Sequence, residues 1–95
     1  MDEGTFQDML DEVDQAIDVL QLAIASGERF ANGDNIGELE QEERQLKTAF
    51  KEIKEEFGFL DSHKQPMFRE QINELGLKLK RLIDGEVQAL KGEYL

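Results

Sequence analysis

The chain has 95 residues with 22 acidic against 11 basic side chains, a formal charge of −11. That length allows one domain and not two, and that charge repels phosphate backbones and anionic lipid, so direct nucleic-acid or membrane binding is not expected. The absence of cysteine excludes disulfides and thiolate metal sites.

Apolar content is 39% and charged content 35%, against usual values of about 45–50% and about 25%. This balance fits long helices with exposed faces. A domain of this size buries only about 60–65% of its unfolded surface, so a second copy or another chain is expected to complete it. No apolar run approaches the ~18–20 residues of a membrane span, and the N-terminus MDEGTF lacks a basic region and an apolar signal core. The chain reads as soluble and cytoplasmic.

The first helix is expected over about 5–31. Thr5 with Asp8 three residues on can cap it. Phe6, Leu10, Val13, Ile17, Leu20 and Ile24 then alternate steps of four and three, the longest regular heptad run in the chain. Ala16, Val19, Ala23 and Phe30 form a flanking stripe, and Leu22 lies outside both. Asp11, Asp14 and Asp18 share the face opposite the heptad stripe, and a solvated back face accounts for them. Gly27 weakens the helix locally by about 1 kcal/mol relative to Ala, so early fraying is expected there.

Asn32-Gly33-Asp34 is a turn signal, and so short a connection makes the first two helices antiparallel neighbours. The second helix is expected over about 35–57. Its stripe is Ile36, Leu39, Leu46, Phe50, Ile53 and Phe57, with Glu, Gln, Lys and Arg filling most of the remainder. So narrow a stripe lies against one or two partner helices. Between Leu39 and Leu46 the inward position falls on Glu42 or Glu43. A carboxylate there sits at the rim, pairs with a base, or sets the register; the cost of a lone buried charge favours the rim.

Gly58 ends that helix. Ser62 with Gln65 reads as a capping box, with Pro66 tolerated in the first turn. The third helix is expected over about 63–93 as one continuous element. Its stripe is Phe68, Ile72, Leu75, Leu79, Leu82/Ile83, Val87, Leu90 and Tyr94, drifting from a 3.5- to a 3.6-residue period near Leu82/Ile83. Leu77 and Leu95 point away from it. Gly76, Gly85 and Gly92 make it the most deformable of the three.

The fold expected is all-α: an antiparallel three-helix bundle or long helical hairpin with coiled-coil character. No catalytic constellation is visible. His63 is the lone histidine, which rules out the usual zinc sites and di-iron bundles. The glycines are scattered, with no phosphate-binding loop, and no calcium loop is present. The chain does not read as an enzyme, and no cofactor or metal is expected.

Ser26–Phe50, SGERFANGDNIGELEQEERQLKTAF, resembles the corresponding region of FliT-type flagellar export chaperones. The shared features are Gly33-Asp34 followed by an apolar-Glu-x-x-apolar beat through Leu39, Glu40, Glu43, Arg44 and Leu46. Ile72–Tyr94, INELGLKLKRLIDGEVQALKGEY, is similar to the C-terminal region of that family. The FlgN-type chaperones are a close alternative with similar helical hairpins. The resemblance implies a cytoplasmic chaperone of flagellar type III export. It would bind the C-terminal helical segment of a secreted filament-cap protein and hand it to the export machinery.

Competing readings are a self-associating helical adaptor and an acidic regulator masking a basic transcription-factor surface. The cargo site is expected where the flanking stripe of the first helix meets the third, at Val19, Leu22, Ala23, Phe30, Leu82 and Tyr94. Weak self-association without cargo is expected as well.

Overall fold

The computed structural model describes residues 2–27 and 36–94, the side chains of residues 93 and 94 excepted. Helix α1 runs Glu3–Ser26, α2 Ile36–Gly58 and α3 Gln65–Arg81. A π-helical turn, Leu82–Val87, continues without a break into α4, Gln88–Tyr94. The described residues contain no strand. The protein is an all-α three-helix bundle of 48 × 19 × 18 Å.

Contacts between the helices fix their directions. Phe6, at the start of α1, has its ring centroid 6.5 Å from that of Phe57 at the end of α2. These two helices are therefore antiparallel. The pairs Gln7–Gln71 and Lys78–Asp14 join α1 to α3 at a constant offset of 64 residues, so those two run parallel. At the lower end Phe6 meets Phe68 edge-on, with centroids 4.8 Å apart and planes at 71°, a favoured aromatic geometry.

The stripes read from the sequence form the core. Phe6, Leu10, Val13, Ile17 and Leu20 are buried on α1; Ile36, Leu39, Leu46 and Ile53 on α2; Phe68, Ile72, Leu75 and Leu79 on α3. Ile24 and Phe50 are only half-buried at the margin of this core.

Several local expectations need correction. Helix α1 is capped three residues earlier than at Thr5: Asp2 Oδ1 accepts from the Thr5 backbone N–H at 2.7 Å. This hydrogen bond holds the Asp2 carboxyl below the usual carboxylate range. The other end falls short of residue 31. Helix α1 stops at Ser26 because Gly27 adopts φ 72°, and its N–H donates to the Ile24 carbonyl at 3.2 Å. A left-handed glycine of this kind is a helix stop, not a weak point inside a helix. The Asn32-Gly33-Asp34 turn lies outside the described residues.

The Ser62–Gln65 capping box does not form. Helix α3 begins at Gln65 with no side-chain cap, and Pro66 occupies its first turn. The Gln65 side chain turns back instead. Its Nε2 donates to the carbonyls of Phe57 at 3.3 Å and Leu60 at 3.2 Å, tying the corner to the end of α2.

The third helix is continuous but not uniform. Leu82 and Ile83 are both buried, as is Val87. In an α-helix, neighbouring residues point about 100° apart. A π-helical turn absorbs one surplus residue and so brings both onto the core side. The drift of the stripe near Leu82/Ile83 is thus a discrete insertion, not a gradual change of period.

Candidate functional site: an apolar groove between the first two helices

Residues of α1 separate by the neighbour they meet. Gln7, Asp14, Asp18 and Gln21 pair with α3 and the turn that follows it. Val13, Ala16, Val19 and Leu20 line the opposite flank, facing α2. There Leu46 and Ala49 of α2 complete an open groove of about 400 Å³, with Glu12, Glu42 and Gln45 also in its walls. Ala16 and Ala49 are small, so the two helices leave a trough instead of filling it.

Val19 is 62% exposed and Leu22 69% exposed, high values for aliphatic side chains. Ala23 packs against the edge of the core. Of the residues expected at the cargo site, Val19 lines this groove, whereas Leu22 and Ala23 are not among its walls. Nor does Leu82 line it: at 3% exposure it belongs to the core, because the π-helical turn draws it inward. Phe30 and the side chain of Tyr94 lie outside the described residues. The position also differs from the expected one. Ala16 and Val19 border α2, not the third helix. Ala49, one step beside the α2 stripe, carries no signal in the sequence that marks it as a groove residue.

The charged groups fall into two clusters elsewhere. On the α1–α3 face, the Lys78 ammonium bridges Asp14 at 2.7 Å and Asp18 at 2.6 Å. The hydrogen bonds to Asp14 and then Asp18 hold its pKa above the ordinary lysine value. The three-aspartate back face is thus partly neutralised by the neighbouring helix.

The second cluster overturns the rim placement of the inward glutamate. Glu43 is buried, with a side chain 8% exposed. Lys91 from α4 donates to its Oε2 at 2.8 Å, and Lys47 lies 3.2 Å from Oε1. Burial disfavours the carboxylate, but the hydrogen bonds from Lys91 and Lys47 outweigh it and hold its pKa below the ordinary value. Glu40 stands 4.0 Å from the same Lys91 ammonium.

His63 is exposed. Among the described residues no group of three or more His, Cys, Asp or Glu is placed to hold a metal ion. None of the described helices is long and apolar enough to cross a membrane.

No protein-family model, curated protein or solved structure matches this chain.

Proposed function

We propose that this chain is a helix-binding module of the export-chaperone kind, acting in the cytoplasm on a secreted flagellar protein. The α1–α2 groove receives one amphipathic helix of the cargo, which lies along the trough as a fourth helix of the bundle. The observation that carries the reading is the exposed Val19 on the wall of a trough floored by Val13, Leu20 and Leu46, with Leu22 exposed on the same helix. A groove of this form suits a helix whose apolar residues recur every three to four positions. The flagellar assignment is supported by the resemblance of Ser26–Phe50 and Ile72–Tyr94 to FliT-type chaperones.

The experiment is titration with a synthetic peptide, the C-terminal helical segment of the filament-cap protein encoded in the same genome. Binding is expected for the unaltered chain. It should fall at least about tenfold in Val19→Asp, the loss of ~1.4 kcal/mol or more, with an unchanged melting temperature. Leu77→Asp provides the control, since Leu77 is exposed on α3 away from the groove. Equal binding by Val19→Asp and the parent chain would refute the groove. No binding by the parent chain would refute the flagellar cargo.

A further inference from the structure

Ahead of the π-helical turn two hydrogen bonds between α1 and α3 share one offset, and Lys78 also reaches Asp18, one turn of α1 further on. Gln7 pairs with Gln71 and Asp14 with Lys78, each 64 residues apart. Near the end of the turn Gln21 donates to Glu86, 65 residues away. One surplus residue has entered the third helix between the second contact and the third.

An all-α third helix would have no place for that residue. Each site beyond the turn would then be taken by the residue preceding its present occupant, shifted by about 1.5 Å and about 100°. Glu86 would occupy the site of Val87, which is fully buried. Leu90 would occupy the site of Lys91 and face the buried carboxylate of Glu43. The α register therefore buries one new carboxylate and removes the closest cation from another, and unpaired buried charge is strongly disfavoured. The π register avoids both. It leaves a smaller defect: Glu86 Oε2 is buried without a hydrogen-bond partner, while Oε1 accepts from Gln21.

We infer that the third helix beyond Arg81 is a two-register element, held in the π register by the Glu43–Lys91 pair and by the exclusion of Glu86 from the core. The α register has regular backbone hydrogen bonds and is opposed by these charged side chains and by the loss of Val87 from the core. Neutralising Glu43, or offering it another cation, removes one of the two restraints, and the segment slips by one residue once the Glu86 charge is removed as well. The slip carries Val87 out of the core and Lys91 away from α2. A buried polar group that fixes register is a recognised role for such residues, and discrete slips of one packed helix past another are a known switching motion.

Thiol labelling tests this, since the chain has no cysteine of its own. Two reporters are made separately. Val87→Cys is buried in the π register and takes the exposed place of Gln88 after the slip. Ala89→Cys is exposed in the π register and takes the half-buried place of Leu90. In a Glu43→Leu/Glu86→Leu background, labelling at residue 87 is expected to rise about tenfold, equivalent to ~1.4 kcal/mol in the equilibrium between registers, while labelling at residue 89 falls. Deleting Gly85 from that background removes the surplus residue and is expected to restore the original pattern.

Opposite changes at the two reporters, reversed by the deletion, support the inference. A rise at both means fraying and overturns it. No change at either means a single register and also overturns it. If the double leucine variant loses its helical signal, Glu43→Gln/Glu86→Gln removes both charges with little change of shape and is judged by the same criterion.

Discussion

Gly76 of α3 lies beneath the ring of Phe50 on α2: a Cβ at residue 76 would stand 3.0 Å from Cζ of that ring. The close approach of these helices depends on the missing side chain. Elsewhere in a helix, replacing Gly by Ala gains about 1 kcal/mol. Here the gain is opposed by a contact tighter than ordinary van der Waals packing. Gly76→Ala is expected to change stability by less than about 0.5 kcal/mol, because steric and propensity effects of similar size oppose each other. In a Phe50→Leu background the same substitution should recover most of the ~1 kcal/mol. Urea denaturation of the four proteins of this cycle checks it, and equal effects in both backgrounds would rule out the contact.

Gly27 offers a cleaner case. Its φ of 72° lies in the left-handed region, and no atom of the described residues lies within 4 Å of a Cβ built there. Backbone strain is therefore the opposing effect that the described residues show. Gly27→Ala is expected to destabilise by about 1 kcal/mol, and Gly27→Asn by less, since asparagine tolerates this region better. Chemical denaturation distinguishes the two. A stabilised Gly27→Ala protein would mean that α1 continues through residue 27.

The Glu43–Lys91 pair predicts a dependence on pH. The folded carboxyl has a pKa below the ordinary 4.5. Its contribution to stability is present above that value and is lost as the pH falls through the lower, folded value. The charged groups around it are Lys47 on its own helix, with Lys91 and the nearby Glu40. Between about pH 6 and about pH 3.5, the melting temperature of the parent protein should fall further than that of Glu43→Gln. At neutral pH, Lys91→Met should destabilise by about 2–3 kcal/mol, below the ~3–5 kcal/mol of a wholly stranded buried charge because Lys47 remains.

Core truncations should follow burial and not position in the stripe. Leu46 is 6% exposed, whereas Phe50 is half-buried with Lys54 Nζ 4.9 Å from its ring centroid. Leu46→Ala is expected to cost about 2–4 kcal/mol, within the range for buried leucines. Phe50→Ala should cost about 1–2 kcal/mol, because part of its surface is already hydrated. Equal losses measured by denaturant midpoint would contradict this ranking.

Periodicity made most of the core legible. The run from Phe6 to Leu20 reports a helix face directly, since each step of three or four returns a side chain to the same side. Local patterns failed where the deciding partner was distant in sequence. Glu43 was expected at the rim because its cation, Lys91, arrives from 48 residues away. The π-helical turn resembled a slow drift because a single insertion and a change of period look alike over two turns. Asp2 and Thr5 are both good caps, so local sequence does not choose between them; the bond runs from the Thr5 backbone to the Asp2 carboxylate. The exposed flank at Val19 and Leu22 was readable, but which helix bordered it required the handedness of the bundle.

The bundle is more than twice as long as it is wide, and its radius of gyration is 15.0 Å. A compact chain of this length would have a value of about 12 Å. Such a rod meets more friction than a sphere of equal mass, so a monomer elutes early from a sizing column, where a dimer of rounder shape would emerge. Sedimentation equilibrium, which responds to mass and not to shape, is therefore the proper measure of whether this chain pairs with itself.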